Sequence, residues 1–258
     1  MAGLEILVGA SAIPAVLIAI RDVAGEDRAR AAAPFLAFAP AAVTLASSGD
    51  ALFMGVGAWA VCLVVLATGR GRSWVPLAAG GGLLFGVVAF LSYGLVLLAA
   101  IPVAVALRRR RLAVLAVAAL AAAPVFVSFL AAGFWWVEGL LATRLQYLTS
   151  AARSRPYGYF AIANLASFAI VIGPATIASL TRLTRSATLW PLVVGALVAI
   201  ALADLSGMSK AEVERIWLPF VPWVIASSSL LPPRTRRTWF AVNVVFGFAL
   251  EIAVTQPW

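Results

Sequence analysis

Apolar runs of roughly 15 to 20 residues recur along the whole chain, and their length constrains the fold more than any other feature. Each run is long enough, or nearly so, to cross the hydrocarbon core of a membrane as a helix. Backbone groups in lipid must form their hydrogen bonds within the segment, so these runs are predicted to be α-helices. The residue alternation typical of a membrane β-barrel is absent from the sequence. We therefore predict an all-α, polytopic helical membrane protein with a single transmembrane domain over residues 1–258.

Ten membrane spans are predicted, joined by connections that alternate in charge. The spans cover roughly 2–20, 32–46, 51–68, 74–90, 93–107, 112–131, 159–178, 188–203, 214–231 and 239–255, with boundaries good to a few residues. One set of connections holds 14 basic residues: Arg21, Arg28, Arg30, Arg70, Arg72, Arg108 to Arg111, Arg182, Arg185, Arg234, Arg236 and Arg237. The other set holds 5: Arg144, Arg153, Arg155, Lys210 and Arg215. The positive-inside rule places the first set in the cytoplasm, so both termini are predicted to lie outside a cell membrane.

The composition excludes several classes of function. The net charge is +9, and the basic residues lie in short clusters between the apolar runs. Basic clusters in this position are typical of the loops of membrane proteins, so no nucleic-acid partner is predicted. The chain has no histidine, which excludes His-based catalysis and His metal ligands. Its single cysteine, Cys62, cannot form a disulfide framework. Met1 leads into an apolar run containing Glu5 without a basic segment, so no cleavable signal peptide is predicted.

The long outer connection from Ala132 to Gly158 is rich in aromatic residues and arginine. On a helical wheel Thr143, Gln146, Ser150 and Arg153 share a polar side, whereas Trp136, Leu140 and Tyr147 share another side. This sidedness predicts a helix lying in the outer membrane interface, with its aromatic residues among the lipid headgroups.

The stretch "GMSKAEVERIW", from Gly207 to Trp217, concentrates four charges in a chain that is only 11% charged. Ser209 followed by Glu212 matches a capping box, which predicts a helix beginning at Lys210. Glu212 and Arg215 are spaced i,i+3, a separation that brings two side chains together on a helix. The stretch is interpreted either as a hydrated helix start at the outer surface or as part of a binding site.

Glycine and proline residues occur inside several predicted spans. Gly82 and Gly86 have the Gly-x-x-x-Gly spacing, which predicts close packing of two membrane helices rather than a phosphate-binding loop. Pro40 and Pro222 lie within predicted spans and free backbone carbonyls that neighbouring helices must accommodate.

Charged residues gather on the predicted outer side, where chemistry is expected. Arginine beside aromatic residues suits a lipid-linked phosphate, because the guanidinium binds phosphate oxygens in pairs. The same arginines could equally bind ordinary anionic headgroups. Paired carboxylates could supply a general base or hold a divalent cation, and the cofactor is left open. Asp50 is a candidate base, and it could equally be the N-cap of the helix from Ala51.

Three segments carry a resemblance to a known family: "PFLAFAPAAVTLASSGDALFMGVGAWAV" (Pro34 to Val61), "RPYGYFAIANLASFAIVIGPATIASL" (Arg155 to Leu180) and "LSGMSKAEVERIWLPF" (Leu205 to Phe220). They resemble actinobacterial polytopic membrane proteins, which are similar in turn to the GT-C membrane glycosyltransferases. That superfamily includes the dolichyl-phosphate-mannose protein mannosyltransferases. The resemblance implies a helical membrane domain that uses a polyprenyl-phosphate-linked sugar donor at the outer face.

The resemblance also implies where the site residues lie. The substrate-binding positions would be Arg153, Arg155, Tyr157, Lys210, Glu212, Glu214 and Arg215. GT-C enzymes carry an essential acidic residue in a first outer loop, and this chain has no such loop. We therefore expect further helices before residue 1, or a membrane-protein partner that supplies them. Asp50 is the catalytic candidate within the chain itself.

Three functions follow as hypotheses. The first is a GT-C-like hexosyl or pentosyl transferase of the cell envelope, or the C-terminal portion of one, with membrane lipid and a polyprenyl-phosphate sugar as partners. In it Arg153, Arg155 and Arg215 stabilise the leaving phosphate, and Lys210 completes the anion site. The second is a transporter or flippase for a lipid-linked envelope precursor. The third is a non-catalytic assembly partner.

Overall fold

The computed structural model describes residues 2–45, 49–69, 71, 73–186 and 188–253, and within these ranges the chain is helical with no β-strand. Arg70 and Arg72, and the "ASS" of the predicted turn before Gly49, lie outside the described residues. So do the last residues of the final predicted span. The prediction of an all-α fold is confirmed.

The described residues form thirteen α-helices. They are α1 (Ala2–Ala10), α2 (Ala12–Ala24), α3 (Glu26–Ala37), α4 (Asp50–Ala67), α5 (Trp74–Leu91), α6 (Ala100–Arg109), α7 (Leu112–Ala131), α8 (Trp136–Thr149), α9 (Tyr157–Leu180), α10 (Trp190–Leu205), α11 (Val213–Ile216), α12 (Val221–Ile225) and α13 (Pro233–Ala253). Short 3₁₀ segments cover Pro40–Thr44, Tyr93–Ala99, Ala151–Ser154, Leu183–Arg185, Leu218–Phe220 and Ala226–Leu230.

Five helical segments are long and apolar enough to cross a membrane: Gly3–Ala24, Asp50–Ala67, Trp74–Leu91, Leu112–Ala131 and Tyr157–Leu180. This agrees with a multi-pass membrane protein. Most of the other predicted spans are shorter or interrupted. The predicted span at 93–107, for example, begins as a 3₁₀ segment and becomes α-helical only at Ala100. The count of ten spans therefore stays a prediction.

The core is built around α4 and the segment from Trp217 to Leu231. Helices α1, α2 and α5 all pack against α4. Every residue from Trp217 to Leu231 is buried, and Trp223 is completely inaccessible. Proline at 219 and 222 divides this segment into short helical pieces. It is accommodated because α9, α10 and the 3₁₀ segment Tyr93–Ala99 surround it.

Helices α5 and α7 pack closely along the predicted glycine pair. A Cβ atom added at Gly82 would lie 2.7 Å from the Cα of Ala118, a separation that side chains do not tolerate. A Cβ at Gly86 would lie 2.8 Å from a methyl group of Val125. Only residues without a side chain allow the two backbones to approach this closely. The prediction from the Gly-x-x-x-Gly spacing is confirmed.

The polar connections collect at two opposite ends of the helical bundle. At one end Arg109 bonds to Asp22 and to Thr68, which directly follows α4. At the other end Arg215 bonds to Asp50, the first residue of α4. The 18 residues of α4 separate these two sites by roughly 27 Å, about the thickness of a hydrocarbon core.

We call the first of these the basic end. It contains the α2–α3 corner with Arg21, Arg28 and Arg30, the α6–α7 connection with Arg108 to Arg111, and Arg182 and Arg236. All of these residues belong to the connections that the positive-inside rule predicts to be cytoplasmic. The structure places them at one end, and the side of the membrane on which that end lies stays a prediction.

The segment from Trp136 to Thr149 forms a helix, α8, as predicted. Its half-buried residues include Trp136, Leu140 and Tyr147, the side that the helical wheel had separated from the polar one. Thr143 and Gln146 are exposed. The outward side of α8 also carries exposed apolar residues: Val137, Leu141, Leu145 and Leu148. This surface suits a headgroup layer, but the position of α8 in a membrane interface stays a prediction.

Candidate functional site

Arg215 lies between two carboxylates at the end of the bundle opposite the basic end. Its Nη1 donates to Oδ2 of Asp50 over 3.1 Å, and its Nη2 donates to Oε2 of Glu212. The Asp50 side chain is only 14% exposed, and that of Arg215 is 31% exposed. This group of three side chains joins the start of α4 to the stretch before α11, although the two are 165 residues apart in the chain.

The two carboxylates also stabilise the charged form of Arg215. Burial alone lowers the pKa of the guanidinium. The hydrogen bonds to Glu212 and Asp50, together with the negative charges of both groups, outweigh that effect and raise the pKa above its ordinary value. Arg215 therefore carries its charge at any physiological pH.

The predicted capping box does not form. The helix begins at Val213 rather than at Lys210, and its N-cap position is Glu212, with no capping bond from a side chain. Ala211 and Glu212 have φ angles of +74° and +59°, in the left-handed region that L-residues rarely adopt. Ser209 instead offers its backbone carbonyl to another part of the molecule. Arg215 is thus the third residue of a very short helix.

Asn164, in the second turn of α9, holds this unusual backbone in place. It is 2% exposed. Its Nδ2 donates to Oδ1 of Asp204 over 2.8 Å and to the carbonyl oxygen of Ser209, and its Oδ1 accepts from the backbone N–H of Ala211 over 3.3 Å. The side-chain amide of Asn164 therefore bonds both to Asp204, near the end of α10, and to the backbone of Ser209 and Ala211 in the loop that follows.

A second set of contacts fixes Lys210. The backbone N–H of Lys210 donates to the hydroxyl of Tyr147 on α8 over 3.0 Å. Its carbonyl oxygen accepts from Nη1 of Arg155, whose guanidinium also lies 5.7 Å from the ring centre of Phe160. The Lys210 ammonium and the Arg155 guanidinium are in no ion pair with a carboxylate among the described residues.

The remaining predicted residues lie around this group. Tyr157 is 44% exposed, and its hydroxyl lies 3.5 Å from the carbonyl oxygen of Leu205. Glu214 is half-buried, and its backbone carbonyl lies 3.5 Å from the hydroxyl of Thr44. Arg153 is exposed on the short 3₁₀ segment before α9. We call Asp50, Arg155, Lys210, Glu212 and Arg215 the polar cluster.

Charge is divided within the polar cluster. On one side Asp50 and Glu212 bring two negative charges to the single positive charge of Arg215. On the other side Arg155 and Lys210 are joined through a backbone carbonyl and carry positive charge. Such a division separates groups that could accept a proton from groups that could bind an anion.

An apolar cavity of about 210 Å³ opens next to the carboxylate side of the polar cluster. It is lined by Met54, one turn along α4 from Asp50, and by Leu218, three residues after Arg215. Leu45 and Leu36 close another side. The site therefore combines charged groups at the end of the bundle with an apolar space lined in part by residues that lie one turn or less from them in sequence.

Sequence reasoning missed Asn164, whose buried side-chain amide takes part in three hydrogen bonds. A single asparagine inside an apolar run gives no signal of its partners, because these lie 40 or more residues further along. For the divalent cation left open above, no group of three or more acidic, cysteine or histidine residues that could hold a metal ion occurs in the described ranges.

Comparisons with protein-family models, with curated proteins and with solved structures found no match for this chain. Its function must therefore be argued from the geometry and charge of the site.

Proposed function

We propose that this chain is a GT-C-like membrane glycosyltransferase, or a portion of one, that uses a polyprenyl-phosphate-linked sugar at the outer face of a cell membrane. The observation that carries the proposal is the polar cluster, with its separated carboxylates and cations, next to an apolar cavity. A polyprenyl-phosphate sugar has the same division, with a phosphate and a polar sugar attached to a hydrocarbon chain.

The charges of the cluster suggest a role for each group in the transfer. An acceptor hydroxyl attacks the anomeric carbon of the donor, and the bond from that carbon to the phosphate oxygen breaks. Asp50 or Glu212 takes the proton of the hydroxyl. The lipid phosphate leaves with the bonding electrons and carries the negative charge. Arg155 and Lys210, with the exposed Arg153 beside them, stabilise that charge.

Arg215 has a different role in this proposal from the one suggested by sequence. Because it lies between Asp50 and Glu212, its charge acts first on those carboxylates. It orients them through its two hydrogen bonds, and phosphate binding falls chiefly to Arg155 and Lys210. Tyr157 and Glu214 border the same site and would contact the sugar. A membrane-protein partner could supply the acidic outer loop of the GT-C pattern.

Binding of undecaprenyl phosphate to the purified protein tests the phosphate site. Arg155→Gln and Lys210→Gln should each weaken binding about tenfold to a hundredfold, since a charge-assisted hydrogen bond contributes roughly 1.5–3 kcal/mol. Arg144→Gln is the matched control, because Arg144 is an exposed arginine on α8 outside the polar cluster. Equal affinity of wild type, Arg155→Gln and Lys210→Gln would refute the proposal.

A flippase for a lipid-linked precursor is the second candidate, and interrupted helices favour it. Helix α9 is broken at Gly173, and α3 ends just before Pro40. A Cβ at Gly173 would lie 2.9 Å from Pro40 and would also meet the amide oxygen of Asn243 on α13. Asn243 lies ten residues, or roughly 15 Å, along α13, about halfway along this helix. Interrupted helices that meet near the middle of a membrane are typical of transporters.

Proteoliposomes separate the three hypotheses. A transferase should release polyprenyl phosphate from a polyprenyl-phosphate sugar, and Asp50→Asn or Glu212→Gln should slow that release. A flippase should move the labelled lipid between leaflets without cleaving it. Binding of the lipid with neither outcome would favour a non-catalytic assembly partner.

A further inference from the structure

A cleft of about 810 Å³ at the basic end lies roughly a membrane's thickness away from the polar cluster. It is enclosed by the start of α3, the residues just after α9, and the chain that runs from the 3₁₀ segment Ala226–Leu230 into α13. Its charged lining consists of Arg28, Arg30, Arg182, Arg236 and Asp27. Four arginines against one aspartate leave a strong excess of positive charge in one concave space.

Three of these arginines have no carboxylate partner among the described residues. Arg30 is paired with Glu26 over 3.0 Å, at an exposed position. Arg28, Arg182 and Arg236 form no ion pair within the ranges that the structure describes. Like charges that converge without a counterion repel each other, so a bound anion would stabilise this arrangement.

Two of the arginines are nevertheless held in fixed positions. Nη1 of Arg28 donates to the carbonyl oxygen of Ser229 over 2.6 Å, and Nη2 of Arg236 donates to that of Leu231 over 3.1 Å. These carbonyls orient the guanidinium groups but do not neutralise them. Nε of Arg236 is buried and has no hydrogen-bond partner in the described part of the chain. The hydrogen-bonding capacity of the Arg236 guanidinium is therefore only partly used within the described residues.

From these contacts we infer that the cleft binds a phosphate group. A guanidinium presents parallel N–H donors that match two oxygens of a phosphate, and arginine is preferred over lysine where this geometry is used. The volume exceeds that of one phosphate and leaves room for a group esterified to it. The phosphate belongs either to an anionic lipid headgroup or to a soluble phosphate compound. This site is independent of the polar cluster and of the proposed transferase.

The inference is tested with the whole protein in nanodiscs of phosphatidylcholine, which has no net charge. In one arm, affinity for inorganic phosphate and for glycerol 3-phosphate is measured at constant ionic strength with chloride as the reference anion. In the second arm, phosphatidylglycerol is added to the nanodiscs, and the shift in melting temperature and the lipid retained by the protein are measured. Binding in the first arm identifies a soluble ligand, and binding in the second arm alone identifies a lipid headgroup.

Arg28→Gln and Arg236→Gln should each weaken binding about tenfold to a hundredfold in whichever arm the wild type responds. Arg28→Lys keeps the positive charge but lacks the parallel N–H donors of a guanidinium. It should therefore weaken phosphate binding less than Arg28→Gln does. Arg110→Gln is the control at the same end, because Arg110 is exposed and lies outside the cleft.

The variants are compared only after their melting temperatures without ligand have been measured. If Arg236→Gln does not fold, Arg182→Gln replaces it, since no hydrogen bond ties the Arg182 guanidinium to the backbone in the described part of the chain and its loss should leave the fold intact. No binding by the wild type in either arm would overturn the inference. So would equal affinities of the wild type, Arg28→Gln and the Arg110→Gln control.

Discussion

Asp22 and Arg109 form an ion pair between the end of α2 and the end of α6, across 87 positions of the chain. Nη1 of Arg109 lies 2.6 Å from Oδ2 of Asp22 and 3.0 Å from the hydroxyl of Thr68. Nη2 of Arg109 also donates to the backbone carbonyl of Asp22 over 2.9 Å. One guanidinium therefore joins three helices at the basic end, and each side chain of the pair is only 25% exposed.

Arg109→Gln should lower the free energy of unfolding by about 1–3 kcal/mol, because it removes three hydrogen bonds and leaves a partly buried carboxylate unpaired. Asp22→Asn should cost less, since the backbone carbonyl of Asp22 and Thr68 still accept from Arg109. Unfolding in detergent measures both variants. Arg110→Gln, the neighbouring exposed position, should be neutral, and a similar loss there would contradict this explanation.

Asn164→Ala should loosen the loop from Ser206 to Glu212. The variant loses three hydrogen bonds and leaves the Asp204 carboxylate, which is 8% exposed, without its amide partner. We expect a loss of about 2–3 kcal/mol. Hydrogen exchange should become faster at the backbone of Ala211. Ser167→Ala, one turn further along α9, is the control, and unchanged exchange in Asn164→Ala would show that the loop is held by other contacts.

Gly82→Ala should separate α5 from α7. The added methyl group would collide with the backbone of Ala118, and overpacking of this kind costs about 1–3 kcal/mol. Gly80→Ala is a matched control on the same helix, because its Cβ would meet only a side-chain methyl of Leu63 at 3.6 Å. That variant should be neutral or slightly stabilising, by up to about 1 kcal/mol. Equal melting temperatures for the two variants would argue against close packing here.

The topology predicts which positions a membrane-impermeant thiol reagent reaches. Thr143→Cys on α8 should be labelled in intact cells, whereas Arg110→Cys should be labelled only after the membrane is permeabilised. The wild-type background should be low, since Cys62 is fully buried. Labelling of Arg110→Cys in intact cells would reverse the orientation and place the polar cluster in the cytoplasm. Reporter fusions at Arg110 and Arg236 offer a second measurement, and both should report the cytoplasm.

Local patterns predicted those features that depend on neighbours in sequence. The helical wheel of α8 separated Trp136 and Tyr147 from the exposed Thr143, because side-chain direction in a helix follows a fixed period. The pairing of Glu212 with Arg215 also followed from spacing. Gly82 and Gly86 marked a helix contact, although their partner helix could not be named from sequence.

Features that depend on distant partners were mispredicted or missed. The pattern at Ser209 and Glu212 matches a helix start, but Asn164 and Tyr147 bind the backbone of the same stretch from other helices. Those tertiary bonds hold Ala211 and Glu212 in a left-handed conformation that no local preference favours. The arginines of the basic end were assigned to one set of connections from sequence alone. Only the folded chain brings Arg28, Arg182 and Arg236 into one cleft.

The exposure of α7 affects the order in which the molecule assembles. Leu120 and Val127 are 74% and 60% exposed, and α7 packs chiefly against α5. Lipid tails are as apolar as these side chains, so docking α7 gains little from the hydrophobic effect and depends on the shape of the glycine contact. We therefore expect α7 to join an already assembled core late, once it has been inserted. It would also be the first helix released when the bilayer is replaced by a harsh detergent.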